Sequence, residues 1–271
     1  MTGKDEYYNR AKQEGYRSRA AYKLKQLDGT ADLIADGDTV VDLGAAPGGW
    51  LQVATELAGT GTVVGVDRRR IDPVDGAETV RGDMTEASTR EEVVEAVGEA
   101  DRREASGAAS GDAGTANGEA DVVVSDMAPN MTGEYDLDHA RSVHLARTAF
   151  ETALELLAPG GDFVAKVFEG PDTDDLRSEV EAEFEYARTI HPEASRDASS
   201  ELYLVGKGRV TAPVAEGDRL EVDVVDEGDE GDGIAKVDGY TLFVPGADAG
   251  ETVEVRVTDL KPRFGFAEPV D

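Results

Sequence analysis

Residues 40–50 read VVDLGAAPGGW, and the strand-like run that follows them closes on Asp67. The apolar run up to Leu43 passes into a glycine-rich turn, after which a helical stretch begins. Glycines in such a turn let a ligand approach the backbone closely, because no Cβ atoms stand in the way. An acidic residue 23 positions after Gly44 is placed to accept both hydroxyls of a ribose. The stretch therefore predicts the first strand–helix turn of an open α/β sheet with a nucleoside-binding pocket.

The spacing of these glycines differs from the dinucleotide-binding pattern. Pro47 stands where a helix N-terminus would have to receive a pyrophosphate. A nucleoside ligand without phosphates is therefore favoured, and S-adenosylmethionine fits that description. Asp83 follows a third strand-like run and is predicted to lie beside the adenine. Trp50, the single tryptophan, either packs near this ligand or belongs to the core.

From residue 39 to residue 206, short β-branched runs alternate with helical stretches, which indicates βαβ units and a parallel sheet. The predicted strands are Thr39–Leu43, Thr62–Asp67, Glu78–Arg81, Asp121–Ser125, Asp162–Phe168 and Leu202–Val205. The predicted helices are Arg19–Leu27, Trp50–Leu57, Arg90–Val97, His139–Leu157 and Thr173–Phe184. This pattern predicts a Rossmann-like α/β sheet with helices on both faces. Residues 98–120 lack periodicity and aromatic side chains, so we expect a flexible insertion there.

The alternation of helix and strand stops near Lys207. Beyond it the predicted strands are Arg219–Val225, Gly233–Val237, Tyr240–Val244 and Thr252–Leu260. The pair Asp238-Gly239, between two alternating runs, predicts a tight hairpin. We therefore expect one domain over residues 1–207 and a separate small β-barrel, similar to an OB fold, over residues 208–271.

The chain has 271 residues and no cysteine, which excludes disulfides, Cys-ligated zinc, iron–sulfur clusters and thiol nucleophiles. Its histidines, His139, His144 and His191, have no metal-ligand spacing, so no metal is expected. No apolar run approaches the ~20 residues that a membrane span needs. Residues 1–10 also lack the apolar core of a signal peptide. A soluble, cytoplasmic protein is therefore expected.

The formal net charge is −31, from 58 acidic and 27 basic residues. The acidic residues are spread over foldable segments, and lysine is scarce beside arginine (8 against 19). This pattern is typical of a halophile, and an ordinary acidic protein is the alternative. In molar salt the Debye length is ~3 Å, so the net charge does not exclude a nucleic-acid partner.

Residues 1–25 differ from the acidic remainder of the chain. They carry seven basic and three acidic side chains, with four tyrosines among them. A basic segment rich in aromatic residues predicts an RNA-contact arm. A solvated helix with packing tyrosines is the alternative.

Three positions in the predicted sheet bear candidate reactive side chains. Asp126 follows the fourth predicted strand, and ligands of open α/β sheets bind outside such carboxyl ends. Lys166 lies within an apolar strand, where a lysine is unfavourable unless it is paired or functional. An edge-strand lysine with a solvated ammonium is the alternative. Glu201 begins the last predicted strand of the sheet and is uninformative by itself.

At this point the chain resembles a known family, the FtsJ-type (RrmJ-type) ribose 2′-O-methyltransferases, over residues 5–207. The resemblance rests on Arg17–Leu24, Asp42–Trp50, Ser125–Asn130, Val164–Phe168 and Glu201–Tyr203. The family's catalytic Lys-Asp-Lys-Glu tetrad falls on Lys23, Asp126, Lys166 and Glu201. Its cofactor contacts fall on Gly48, Trp50, Asp67, Asp83 and Asp126.

The resemblance implies methyl transfer from S-adenosylmethionine to the ribose 2′-oxygen of a uridine in 23S rRNA, within the assembled or nearly assembled large subunit. Lys166 would take the hydroxyl proton or stabilise the developing alkoxide, and Asp126 would orient it. Lys23 and Glu201 would position the ribose. Ribose methylation of tRNA or of an mRNA cap, and a non-catalytic ribosome assembly factor, remain alternatives.

The C-terminal residues 209–271 resemble a TRAM domain, through residues 231–236 (GDGIAK) and 242–246 (LFVPG). The resemblance implies RNA binding. This segment holds 6 basic and 16 acidic residues, so any contact has to be local. The candidate contact residues are Lys236, Lys261, Arg263, Phe264 and Phe266. A stabilising appendage without RNA contact is the alternative.

Overall fold

The computed structural model describes residues 3–105, 120–195, 200–228 and 231–270. The helices in these ranges are α1 (Gly3–Glu14), α2 (Ala21–Ala31), α3 (Gly49–Ala58), α4 (Ala87–Ala105), α5 (Tyr135–Leu156) and α6 (Thr173–Glu181). The first seven strands are β1 (Val40–Leu43), β2 (Val63–Asp67), β3 (Ala77–Arg81), β4 (Ala120–Ser125), β5 (Leu157–Phe168), β6 (Phe184–Ile190) and β7 (Glu201–Arg209). The remaining strands are β8 (Arg219–Glu227), β9 (Asp232–Val237), β10 (Tyr240–Pro245), β11 (Thr252–Leu260) and β12 (Phe264–Pro269).

Strands β1 to β7 form one sheet in the order β3-β2-β1-β4-β5-β7-β6. The prediction of a parallel sheet is confirmed for β3, β2, β1, β4 and β5. It is wrong for β7, which runs antiparallel to β5 and β6. Only ten residues, 191–200, join β6 to β7, whereas a parallel connection needs about a dozen or more.

Two helical layers cover the two faces of this sheet, as predicted. Successive side chains of a strand point to opposite faces, and β1 shows the consequence. Val40 packs in the cluster that contains the apolar residues of α2 and α3. Val41 and Leu43 pack in the cluster that contains those of α4, α5 and α6. Burial of apolar surface on both faces is the main stabilising contribution to this layered arrangement.

The strand register brings the candidate reactive residues to one edge of the sheet. Ser125 pairs with Leu43 on one side and with Ala165 on the other. Asp126 and Lys166, which follow these positions, therefore meet at the carboxyl edge of the parallel strands. Because β7 is antiparallel, its first residue, rather than its last, lies at the same edge.

Strands β8 to β12 close into a barrel in the order β10-β12-β11-β8-β9, which confirms the predicted C-terminal barrel. Its interior is filled by a separate apolar cluster that includes Leu242 and Val255. The predicted hairpin joins β9 to β10, and Asp238 and Gly239 both have positive φ angles, 47° and 89°. Positive φ at both central residues is what a tight two-residue hairpin requires.

The flexible insertion predicted for residues 98–120 is wrong over residues 98–105, which continue helix α4. This segment is rich in Ala, Glu and Arg, which are strong helix formers, and their propensity favours a helix although the segment lacks hydrophobic periodicity. Residues 106–119 lie outside the described residues. In the ranges that the structure describes, no helix is both long and apolar enough to cross a membrane.

Candidate active site

The predicted tetrad residues come together at the carboxyl edge, each from a different element. Lys166 of β5 places its Nζ atom 2.8 Å from Oδ1 of Asp126, in the turn after β4. Lys23 of α2 lies 3.8 Å from the same carboxylate oxygen and 2.5 Å from Oε1 of Glu201. Both lysines are buried, with exposures of 5% and 7% for Lys23 and Lys166. The four side chains therefore form one connected network of charges.

Tyr203 belongs to the same network, although the sequence reading gave it no role. Its hydroxyl donates a hydrogen bond of 2.6 Å to Oδ1 of Asp126, and its ring is fully buried. The alternation of side chains along β7 predicts that Tyr203 lies near Glu201, because residues 201 and 203 are on the same face of a strand. Tyr203 also pairs directly with Lys166 across β5 and β7.

The electrostatic environment of Asp126 favours its charged form. Burial acts to raise the pKa of Asp126, but the nearby ammonium groups of Lys166 and Lys23 and the hydrogen bonds from Lys166 and Tyr203 lower it below its ordinary value. Tyr203 shows the opposite effect. Burial, followed by the charges of Asp126 and Glu201, raises the pKa of the Tyr203 phenol well above its ordinary range. Tyr203 is therefore a neutral hydrogen-bond donor to a charged carboxylate.

The glycine-rich turn lies directly beside this network. Gly44 and Gly48 have positive φ angles of 86° and 104°, and Gly48 caps the N-terminus of α3. A Cβ atom at Gly44 would overlap Met127, which follows Asp126. Trp50 lies in the core, where its Nε1 atom donates to the Ala20 carbonyl at 2.7 Å. The indole therefore packs in the core, and its ring lies 5.8 Å from that of Tyr203.

The two further predicted cofactor carboxylates flank the turn, and each is held by an arginine. Asp67, at the end of β2, accepts a hydrogen bond of 3.0 Å from the Ala46 amide and lies 3.3 Å from Arg69. Asp83, after β3, lies 3.2 Å from Arg68. Hydrogen bonds from the side chain and then the backbone of Thr85, with the charge of Arg68, lower the pKa of Asp83. Asp67 and Asp83 therefore lie at the carboxyl ends of β2 and β3, and a carboxylate oxygen can accept more than one hydrogen bond.

Asp42, to which the sequence analysis assigned no role, lies beneath the turn. It is completely buried, and neither of its carboxylate oxygens has a hydrogen-bond partner among the described residues. Burial, followed by the charges of Asp126 and Asp67, raises the pKa of Asp42 well above its ordinary value. Three carboxylates thus converge on the turn, and this arrangement fits a ligand that carries positive charge.

Part of the predicted RNA-contact arm belongs to the site, whereas Tyr8, Arg10 and Lys12 are exposed. Lys23 lies in the tetrad, and Lys25 pairs with Glu56 at 3.0 Å. Arg17 donates to the carbonyls of Pro47 at 3.2 Å and Asp72 at 2.5 Å, and also to that of Pro73. These carbonyls belong to the loops after β1 and β2. Arg17 therefore joins the two loops that border the turn.

Comparison with known proteins agrees with this geometry. Residues 16–209, more than half of the chain, match the model of the FtsJ-like methyltransferase family, and residues 213–270 match the TRAM domain. The described residues contain no group of three or more histidine, aspartate or glutamate side chains arranged to hold a metal ion.

Three relatives carry the name ribosomal RNA large subunit methyltransferase E. The one from Natronomonas pharaonis is 72% identical, and the match covers 100% of each chain. The one from Haloarcula marismortui is 63% identical over 100% of each chain. The one from Methanosarcina mazei is 44% identical over 98% of this chain and 92% of its own.

A crystal structure of a ribosomal RNA methyltransferase from Plasmodium falciparum has the same fold as the larger part of the chain. It superposes with a TM-score of 0.57 over 72% of this chain and 98% of that one, at 24% sequence identity. The family match and the relatives together lead to one conclusion: the chain belongs to the FtsJ-like methyltransferase family and carries a TRAM domain at its carboxyl-terminal end.

Proposed function

We propose that this enzyme transfers the methyl group of S-adenosylmethionine to the ribose 2′-oxygen of a uridine in 23S rRNA, with the assembled large subunit as its substrate. The observation that supports this most strongly is the convergence of Lys23, Lys166 and Tyr203 on one carboxylate, that of Asp126, beside the glycine-rich turn. The relatives named ribosomal RNA large subunit methyltransferase E support the choice of RNA.

On the cofactor side, we assign the nucleoside to the turn and its two flanking carboxylates. Asp67 accepts the ribose hydroxyls, and Asp83 lies at the adenine. Gly48 allows close approach to the backbone, and residue 50 contributes its backbone amide, because its indole is buried. The bound cofactor supplies a methyl group on a positively charged sulfur, which the carboxylate of Asp126 attracts.

The three converging carboxylates allow a test of whether the residues of the site fit S-adenosylmethionine. S-adenosylmethionine carries a sulfonium and an ammonium group. The turn presents Asp67 and Asp126 above the buried Asp42, whose carboxylate oxygens have no hydrogen-bond partner among the described residues. A cation next to a buried carboxylate favours the charged form of that carboxylate. Binding of the cofactor therefore gives Asp42 a counter-charge that the described protein residues do not.

On the acceptor side, the enzyme has to align an in-line attack and handle one proton. We assign the proton to Lys166 in its neutral form: having lost its own proton to solvent, the amine accepts the proton of the 2′-hydroxyl, and the ammonium so formed stabilises the attacking oxygen. Asp126 orients Lys166 through the contact of 2.8 Å between them. Lys23 and Glu201, which contact each other at 2.5 Å, position the ribose.

We place the end of the methyltransferase domain after residue 209, two residues beyond the predicted boundary at 207, because β7 runs to Arg209 within the sheet. The family matches, which end at 209 and resume at 213, support this choice. We also place the enzyme in the cytoplasm of a halophile, in keeping with its acidic composition and the haloarchaeal relatives.

The test is an assay in molar KCl with radiolabelled S-adenosylmethionine and three acceptors: unmodified large subunits, protein-free 23S rRNA and tRNA. We expect label on the large subunits, little on protein-free 23S rRNA, and none on tRNA. Label on tRNA would retain the chemistry and overturn the substrate. No label on any RNA, with cofactor binding intact, would overturn the enzymatic assignment in favour of an assembly factor.

A further inference from the structure

Exposed apolar side chains concentrate in one short segment at the active-site edge of the sheet. Eight large apolar or aromatic side chains are exposed among the described residues, and three of them, Met131, Tyr135 and Leu137, lie within seven consecutive positions. This segment follows Asp126 and leads from β4 into α5. Single exposed apolar residues are normal on a protein surface, whereas a group of them indicates contact with a ligand or partner.

A buried carboxylate fixes the backbone of this segment. Asp138 accepts hydrogen bonds from the amides of Thr132 and Gly133, both at 2.9 Å, and from the Thr132 hydroxyl, also at 2.9 Å. Each carboxylate oxygen can accept more than one hydrogen bond, so one side chain satisfies all three donors. The segment therefore presents its exposed side chains from a loop with a defined conformation.

Tyr135 has the geometry of a stacking surface. Its ring centroid lies 6.4 Å from that of His139, with an angle of 12° between the two planes. His139 is buried and covers one face of the tyrosine ring, whereas Tyr135 itself is 56% exposed. The Tyr135 hydroxyl donates to the Glu169 carbonyl at 2.6 Å, which fixes the orientation of the ring. The second face of the ring is therefore open to solvent and already oriented before a ligand binds.

His139, beneath this ring, connects the beginning of α5 to the loop after β5. Its Nδ1 atom lies 2.8 Å from the carbonyl oxygen of Phe168, and its Nε2 atom lies 3.3 Å from the amide nitrogen of Asp172. A Cβ atom at Gly170 would lie 2.5 Å from the imidazole, so a glycine is what allows this loop to pass so close to the ring. The support of Tyr135 is therefore anchored to the strand that carries Lys166.

The register of the sheet places Tyr135 near the acceptor residues. Phe168 pairs with Glu201 of the tetrad, and Glu169, which anchors the Tyr135 hydroxyl, is the next residue. Glu169 is three residues beyond Lys166, a distance of ~10 Å along a strand at ~3.3 Å per residue. A stacked nucleic-acid strand advances ~3.4 Å per nucleotide. The ring therefore lies a few nucleotides from the acceptor ribose, at the position of a flanking base.

The charges around Tyr135 indicate which part of an RNA would bind there. The exposed side chains next to it in the chain, Glu134 and Asp136, are acidic, as is Glu169 beside its hydroxyl. Such surroundings do not attract phosphates, whereas a base carries no charge. Stacking on an aromatic ring accepts any base and depends less on salt than phosphate contacts do. An open tyrosine face in acidic surroundings therefore suits an unpaired base in molar salt.

We propose that the open face of Tyr135 stacks on an unpaired base that flanks the methylated uridine, and that this contact positions the acceptor ribose at the tetrad. The proposal rests on the proposed function in that the substrate is RNA. It adds a contact with a neighbouring nucleotide to the contacts with the ribose that the tetrad provides. Because stacking accepts any base, the ring fixes the position of the strand rather than its sequence.

The experiment compares the full-length wild type with Tyr135→Leu, which removes the ring, and Tyr135→Phe, which keeps it. Tyr186→Leu is the matched control, because Tyr186 is an exposed ring (44%) on β6, outside the segment described above. Thermal unfolding establishes that each variant is folded, and calorimetric titration measures its affinity for S-adenosylmethionine. The dissociation constant of unmodified large subunits is measured in molar KCl without cofactor, so that no turnover occurs, and kcat/KM is measured with cofactor.

A cross-linking measurement reports the stacking contact directly. An oligouridine that contains 5-iodouridine is irradiated with each full-length protein in molar KCl, and the cross-linked peptide is mapped by mass spectrometry. We expect a cross-link at Tyr135 in the wild type. No cross-link is expected at residue 135 of Tyr135→Leu, nor at Tyr186 in any of these proteins.

We expect Tyr135→Leu to bind large subunits at least fivefold more weakly, a loss of about 1 kcal/mol, which is the lower limit for stacking of one base on an aromatic ring. Its kcat/KM is expected to fall by at least the same factor, with the affinity for S-adenosylmethionine unchanged. Tyr135→Phe is expected to stay within twofold of the wild type, and Tyr186→Leu is expected to match it.

An unchanged affinity of Tyr135→Leu for large subunits would overturn the proposal. Equal losses in Tyr135→Leu and Tyr135→Phe would contradict stacking, because they would assign the effect to the hydroxyl that binds Glu169. A loss on large subunits without a cross-link at Tyr135 would assign the ring to a ribosomal protein instead of RNA. If the wild type methylates no RNA, the proposed function fails, and the cross-link still decides whether Tyr135 contacts a base.

Discussion

Lys166 has its ammonium group against two oxygens of Asp126, the carboxylate at 2.8 Å and the carbonyl at 2.5 Å. General acid–base assistance contributes ~10²–10⁴-fold to a rate, so we expect Lys166→Ala to lower single-turnover methyl transfer by about that factor. Cofactor affinity is expected to stay within twofold. Lys25→Ala is the matched control, a lysine on α2 that pairs with Glu56 outside the tetrad. Unchanged turnover in Lys166→Ala would contradict the assignment.

Tyr203 is tested by removing one atom. Tyr203→Phe keeps the ring that packs 5.8 Å from the Trp50 ring and removes the donor to Asp126. A hydrogen bond to a charged group is worth ~1.5–3 kcal/mol, so a loss of about tenfold or more in kcat is expected. Single-turnover kinetics and thermal unfolding, measured together, separate this effect from misfolding. A fall in melting temperature with kcat unchanged would show that the hydroxyl serves stability alone.

Asp42 predicts a pH dependence of stability for the cofactor-free enzyme. Burial, with the charges of Asp126 and Asp67, raises the pKa of Asp42, so the folded state holds this proton to a higher pH than the unfolded chain does. The corresponding stabilisation is present below the pKa of an unfolded aspartate, about 4, and is lost as the pH rises through the raised value. The Asp42→Asn variant has no carboxyl group to titrate at this position, so its stability does not fall in this way as the pH rises. The variant is therefore expected to unfold at a higher temperature than the wild type at pH 7.

The measurement is thermal unfolding from pH 5 to pH 8 in molar KCl, with the exposed Asp75→Asn as the control. The melting temperature of Asp42→Asn is expected to exceed that of the wild type by an amount that increases with pH. This difference is expected to disappear when saturating cofactor is present. A difference that does not change with pH would contradict the account. Calorimetric titration is expected to show weaker binding of S-adenosylmethionine by Asp42→Asn, because the variant has no charge to offer a cation.

At the scale of the elements, Arg17 joins the loops after β1 and β2, and we propose that it positions these loops for the cofactor. Arg17→Ala is expected to raise the dissociation constant of S-adenosylmethionine about tenfold or more, since it removes several hydrogen bonds of ~0.5–1.5 kcal/mol each. Arg17→Lys is expected to recover part of the affinity. Arg10→Ala is the control, because its pair with Glu14 is exposed.

Calorimetric titration of the cofactor checks this prediction, and kcat at saturating cofactor separates positioning from catalysis. We expect kcat to change less than the dissociation constant. If both arginine variants bind the cofactor as the wild type does, Arg17 does not position the loops, and its contacts with Pro47, Asp72 and Pro73 serve another purpose.

The strands also show which elements of the fold can be predicted from the sequence and which cannot. Strands β1, β2 and β4 were predictable because they are buried on both faces and consist of continuous β-branched runs. Strand β6 (FEYARTI) was missed because it is an edge strand, with two of its seven side chains buried. Strand β12 was missed because Gly265 and Pro269 resemble turn residues.

The residues of the site can likewise be divided into those that the sequence predicts and those that it does not. The tetrad positions followed from a family resemblance, and Lys166 also stood out as a charge within an apolar strand. Tyr203 and Asp42 lie within the motifs that carry the resemblance, but nothing about either residue predicted its role. A tyrosine in a strand is ordinary, and the lack of partners around the Asp42 carboxylate depends on which strands become neighbours. Arg17 looked like part of a basic arm because its carbonyl partners are 30 to 56 positions away in the chain.

For the whole molecule, the net charge of −31 predicts a strong dependence of stability on salt. Repulsion among these charges is screened within ~3 Å at 1 M salt but extends to ~10 Å at 0.1 M. The melting temperature is therefore expected to fall steadily as KCl is lowered from molar to ~0.1 M. Thermal unfolding across this range, with sucrose as a non-ionic control, measures it. A melting temperature that does not change with KCl would contradict adaptation to high salt.

At the scale of the whole molecule, the central claim is the position of the transferred methyl group. The most direct measurement is to map the label on unmodified large subunits by alkaline hydrolysis and mass spectrometry of nucleosides. A methyl group on the 2′-oxygen blocks cleavage at that linkage. We predict one resistant site, at one uridine of 23S rRNA, that is absent when Lys166→Ala is used. Label on a base, or spread over many nucleotides, would contradict the account.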